Sequence, residues 1–168
     1  MNPIIIGIDK ELQDFDQRLK DLIAHLTESE QVTLIGEEHL PASLSVAQQV
    51  AQSRGISWIQ IDMDTGERIA AGIYDKLFNR TQIRGYDEHG MPIQAIRYAV
   101  KEDGVREELW LDRIAEHQAQ GTALLICGAL HARPLVKKAQ QKGHDTSLRF
   151  FPENPGSQFW VSITPELF

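Results

Sequence analysis

The chain of 168 residues holds one cysteine, Cys127, so no intramolecular disulfide can staple the fold, and this usage suits a reducing compartment. Positive charge is also scarce. Seventeen Lys and Arg face 24 Asp and Glu, a net charge of -7, which argues against general nucleic-acid binding because neutralising phosphates needs a basic face. No apolar run approaches the ~18 residues of a membrane span, and the first residues lack the basic and long apolar regions of a leader. The chain therefore reads as cytosolic, with neither membrane nor nucleic acid as a partner. No His-x-x-x-His or Cys-x-x-Cys spacing pre-assembles zinc ligands. No cofactor is implied, although the histidines and carboxylates at strand ends leave a divalent metal open.

What is present is ordinary globular composition, 42% hydrophobic and 24% charged. Apolar, β-branched runs at Pro3–Ile8, Val32–Ile35, Ile56–Ile61, Ala123–Ile126 and Ser147–Phe151 read as buried strands. Helical spacing follows most of them: from Glu11 behind Asp9 as N-cap, from Val46 to Arg54, more weakly across Thr65–Tyr74, from Val105 to Ile114 and from Ala132 to Lys142. This alternation predicts an α/β fold, a single three-layer domain over 1–168 with a mostly parallel sheet of about five strands flanked by helices. Residues 81–100 break the pattern as two extended arms around Gly90, a hairpin insertion that reads as a surface excursion or homo-oligomer contact, or as a lid bringing Arg84 or Arg97 over the strand ends. Residues 152–168 form an apolar tail expected to pack on the body.

Chemistry gathers where strands end, the usual ligand crevice of an open α/β sheet. The second strand runs into Gly36-Glu37-Glu38-His39, and the late strand into Cys127-Gly128-Ala129-Leu130-His131, both of the form Gly-x-x-His. In extended chain Glu37 and His39 share one face and Glu38 takes the other. A carboxylate beside a His is a natural general acid/base pair, so Glu37, Glu38, His39 and His131 are the catalytic candidates. Asp9 and Lys10 end the first strand and Asp62 the third. On the helix near Val105, Arg106 and Trp110 share a face beside Glu107, and Arg106 could hold an anionic group. Cys127 closes the list of substrate-contacting candidates, although a Cys after Leu124-Leu125-Ile126 is more often buried core than nucleophile.

Three of these motifs in order, Glu37-Glu38, Arg106-Glu107-Glu108-Leu109-Trp110 and Cys127-Gly128-Ala129-Leu130-His131, resemble a group of small bacterial proteins. That group is similar in turn to the superfamily of the erythromycin esterases, the TraB/PrgY and Tiki proteins and the ChaN-like haem-uptake proteins. The resemblance extends to about Gly143. It implies a pocket made by a Gly-x-x-His after the first strand, a Glu after the second and a His after a late strand. Here the first strand ends Gly7-Ile8-Asp9-Lys10, so Lys10 stands where the esterases carry the His that activates water, and His39 is placed to substitute for it. The expected activity is hydrolysis of a small polar or anionic substrate by a strand-end Glu and His. The alternatives are a non-catalytic binder of a small ligand such as haem, and a hydrolase with Cys127 as nucleophile.

Overall fold

The computed structural model describes residues 2–9, 13–38, 43–78, 81–117, 121–151 and 160–163. The elements run β1 (Asn2–Ile8), α1 (Gln17–Ser29), β2 (Val32–Glu37), α2 (Val46–Arg54), β3 (Ser57–Gln60), α3 (Thr65–Ala70) and α4 (Tyr74–Phe78). They continue with β4 (Thr81–Tyr86), β5 (Pro92–Tyr98), α5 (Asp103–His117), β6 (Thr122–Gly128), α6 (Ala129–Gln141), β7 (Ser147–Phe151) and β8 (Trp160–Ile163). Five strands form one parallel sheet in the order β3-β2-β6-β1-β7. Both of its faces are covered, which is why β1 and β6 carry unbroken apolar runs rather than an alternation.

The two faces have separate cores. Ile4, Ile6, Ile8, Ile35, Leu124 and Ile126 point toward α1 and α2, while Ile5, Leu34, Leu125 and Cys127 point toward α5 and α6. Two glycines let the second helix layer sit close. A Cβ on Gly7 would stand 2.8 Å from Cβ of Ala132 in α6, and one on Gly36 would overlap Ile114 of α5. Since β6 lies between β1 and β2, and its following helix packs opposite to theirs, the chain reverses its direction across the sheet on both flanks of β6. Crevices at the carboxyl ends of such neighbours are where open α/β sheets bind ligands.

Several local expectations are corrected. Helix α1 begins at Gln17 behind Asp16, whose carboxylate accepts from the N–H groups of Arg18 and Leu19, so Asp16 and not Asp9 is the N-cap. The expected helix over Thr65–Tyr74 is two short ones, parted where Gly72 takes φ +68, a conformation that suits glycine. Helix α5 starts at Asp103, two residues before Val105. The insertion is an antiparallel hairpin of β4 and β5, and the tail contributes β8, which pairs in parallel with β5 to make a second, three-stranded sheet. Among the described residues no helix is long and apolar enough to cross a membrane.

Candidate functional site

At the carboxyl edge of the sheet, β2 parts the two adjacent glutamates as pleating requires. Glu37 turns to the α1/α2 face. There its carboxylate accepts from Gln13 Nε2 at 3.0 Å, Ser45 Oγ at 2.5 Å and Trp58 Nε1 at 2.9 Å, all uncharged donors. Glu38 turns to the α5/α6 face, and its Oε2 accepts the backbone N–H of Gly128 at 2.8 Å. Gly128 is the N-cap of α6 and has no side chain to cap with, so the Glu38 carboxylate places its negative charge at the positive helix end instead.

Helix α5 then supplies an inward stripe. Asp103, Arg106, Glu107 and Trp110 stand at i, i+3, i+4 and i+7, and all four are buried. Arg106 lies at the centre with every donor engaged. Its Nε and Nη2 grip Asp62 at 3.0 and 2.8 Å, Nη2 also reaches Glu38 Oε1 at 2.7 Å, and Nη1 reaches Asp103 Oδ1 at 3.1 Å and His131 Nε2 at 3.4 Å. A guanidinium offers five N–H donors, and these five contacts use them all. Burial works against its charge, but Glu38, Asp62 and Asp103 outweigh burial and push its pKa further up, so Arg106 is a fixed cation. Burial likewise pushes Asp62 up, yet Arg106 and then Arg68, 2.6 Å away on α3, hold its carboxyl below the usual carboxylate range. Trp110 closes the cluster, donating its indole N–H to Asp62 at 3.2 Å and meeting the His131 ring edge-on at 5.0 Å.

His131 is the third residue of α6. Its Nδ1 lies 3.0 Å from Glu107 Oε1, while Nε2 lies 3.8 Å from Glu38 Oε1 and 3.9 Å from Asp103 Oδ1. With Arg106 able only to donate, Nε2 is the acceptor, and Nδ1 carries the hydrogen that goes to Glu107. A carboxylate holding one ring nitrogen so that the other keeps its lone pair is the arrangement of a general base with its orienting partner.

Of the expected residues, the fold gathers Glu38, His131, Asp62, Arg106, Glu107 and Trp110 into this one cluster. Glu37 is on the other face of the sheet. Asp9 ends β1, half buried, with its N–H donated to Phe151 at 3.4 Å. Arg84 is exposed on β4, and no hydrogen bond joins it to the cluster among the described residues. Cys127 is wholly buried in the α5/α6 core, in line with packing rather than attack. Lys10, His39 and the Arg97 side chain lie outside the described residues. The anchoring role foreseen for Arg106 is filled by protein carboxylates. Two members, Asp103 and Arg68, are missing from the sequence reading: a helix begun at Val105 leaves Asp103 outside it, though its i, i+3, i+4 spacing to Arg106 and Glu107 is the signal. Among the described residues no three His, Cys, Asp or Glu side chains are arranged to share a metal ion. No protein-family model matches the chain, nor does any curated protein or solved structure.

Proposed function

We propose that the protein is a hydrolase in which His131, oriented by Glu107, takes a proton from water beside Glu38. One observation carries this reading: the Glu107–His131 hydrogen bond aims Nε2 at Glu38 Oε1 across 3.8 Å, at the edge of the sheet flanking β6. That gap is too long for a direct hydrogen bond and of a size a bridging water can use. The weakest of the five Arg106 contacts, 3.4 Å to Nε2, is the one a water would displace. In the attacking state His131 becomes an imidazolium beside the carboxylates of Glu38, Asp103 and Glu107, which favours the charge as it forms. Glu38 acts as the positioning partner that holds Arg106 and the α6 N-terminus. The motif order that resembles the erythromycin esterase and Tiki superfamily supports the same reaction class.

The test is turnover of p-nitrophenyl acetate and p-nitrophenyl phosphate. His131→Ala and Glu107→Gln are expected to lower the rate per folded molecule by roughly 10²–10⁴, the usual contribution of a general base. Wild-type turnover equal to that of both variants sinks the reading. A second reading, a non-catalytic binder, is favoured by burial, since Glu38, Arg106 and His131 expose only 1, 2 and 2% of their surface. It predicts no turnover of either ester, together with a rise in Tm on titration with the right ligand.

A further inference from the structure

Among the described residues, four of the eight large hydrophobic side chains left exposed lie within residues 83–93 of the hairpin. In the β4–β5 register Ile83 stands opposite Ala95 and Arg84 opposite Gln94, and the turn continues it, Asp87 donating its N–H to the Met91 carbonyl at 2.9 Å. Pleating therefore sets Ile83, Met91 and Ile93 on one face and Gln82, Arg84 and Tyr86 on the other. The second face is polar, and there Tyr98 donates its O–H to Gln82 at 2.9 Å. The first is apolar, with its three large side chains 39, 62 and 58% exposed. Gly85 belongs to it and adds no polar atom, since a Cβ there would stand 3.4 Å from Cδ1 of Ile93. One apolar and one polar face is the pattern of a sheet that packs on something, and adjacent exposed apolar side chains mark an interaction surface.

The charge of this segment says what covers the face. From Thr81 to Tyr98 the charged residues are Arg84, Asp87, Glu88 and Arg97, which cancel, whereas the whole chain carries -7. Two copies therefore repel over most of their surface but not here. The signs are also separated along the hairpin, with Asp87 and Glu88 at the turn and Arg97 at the open end, in register with Thr81. Laid face to face in antiparallel sense, two hairpins set the acidic turn of each beside the basic open end of the other. Laid parallel, they bring like charges together.

We propose that this face is the contact between two copies of the chain, Ile83, Met91 and Ile93 of one packing on the same three of the other about a two-fold axis, with the hairpins antiparallel. A two-fold contact must be self-complementary, and a surface that is apolar at its centre and oppositely charged at its two ends meets that condition. A strongly basic or acidic partner would find no net charge here to recognise. The proposal uses nothing at His131 and is read as mass rather than turnover, so its failure and that of the hydrolytic reading are distinguishable.

The experiment is sedimentation equilibrium of the whole chain, with circular dichroism to show that each variant is folded. The wild type is expected at twice the chain mass, dissociating on dilution. Ile93→Lys is expected to raise the dimer Kd at least about tenfold, the effect of losing 1.4 kcal/mol. Should that variant fail to fold, Met91→Lys carries the same expectation. Tyr86→Lys, on the opposite face, is expected to leave the Kd unchanged. Glu88→Arg should weaken the dimer, and adding Arg97→Glu should restore it. A wild type of single mass at its highest soluble concentration overturns the proposal, and its capture by phosphatidylcholine vesicles would then give the face to a lipid surface. A folded Ile93→Lys or Met91→Lys dimer as tight as the wild type, a Tyr86→Lys variant equally weakened, or no recovery in the charge-exchanged variant also overturns it.

Discussion

Glu37 and Glu38 are consecutive, equally buried and both carboxylates, yet they belong to different chemistries. Glu37 is held by amide, hydroxyl and indole donors from Gln13, Ser45 and Trp58. Glu38 is held by a guanidinium and a helix N-terminus, and stands 3.8 Å from an imidazole nitrogen. One ties the α1/α2 layer to the sheet; the other joins a charged network containing a proton acceptor. A buried strand-end carboxylate is therefore no site by itself. What faces it across the next helix layer decides its role.

The comparison breaks most severely at Arg106. Arg106→Met removes the shared cation from Glu38, Asp62 and Asp103 and should cost roughly 3–5 kcal/mol in urea unfolding, the scale of a buried charge left without its partner. A loss below about 1 kcal/mol would mean the network is solvated and the contrast between the faces is false. On the other face Ser45→Ala removes both the α2 cap, where Ser45 Oγ accepts from Gln48 N at 3.1 Å, and a donor to Glu37. About 2 kcal/mol is expected, again by urea unfolding, with the rate per folded molecule unchanged.

Acid sharpens the contrast further. Asp62 has a folded pKa held below its unfolded value, so its contribution is fully present above about pH 3.9 and is lost as pH falls through the depressed value. Stability measured by urea between about pH 5 and about pH 2 should fall, and Asp62→Asn should flatten that slope. An unchanged slope would show that Arg106 and Arg68 do not hold the carboxylate as their geometry implies.

How much of this was legible in the sequence follows from which forces are local. The five strand runs, their parallel sense and the hairpin could be read because both-face burial demands unbroken apolar runs and Gly90 marks the turn; the order of the strands could not. The parting of Glu37 from Glu38 followed from the pleat alone. The identity of their partners did not, because Gln13, Ser45, Arg68 and Asp103 reach the edge through loops and helix starts whose geometry is tertiary. The partners of Arg106 are hidden for the same reason: spacing shows that it faces inward, but only the fold reveals the carboxylates of Glu38, Asp62 and Asp103 around it. The tail offered an apolar run at Trp160–Ile163 and no sign that β5 would take it as a neighbour.

The smallest expected effect concerns Cys127. It is buried among the α5/α6 core residues, so iodoacetamide at neutral pH should react slowly and Cys127→Ala should keep the wild-type rate per folded molecule. Rapid alkylation with parallel loss of turnover would move the chemistry from the imidazole to the thiolate.

The proposed hydrolysis requires His131 to keep a lone pair on Nε2 while Glu107 takes the hydrogen on Nδ1. Nitrogen NMR of a histidine-labelled sample, with His131 assigned by comparison with His131→Gln, reads this directly. The expected result is a protonated Nδ1 and a bare Nε2 near neutral pH, with that preference lost in Glu107→Gln. A hydrogen on Nε2 in the native protein would leave no base facing Glu38 and would contradict it.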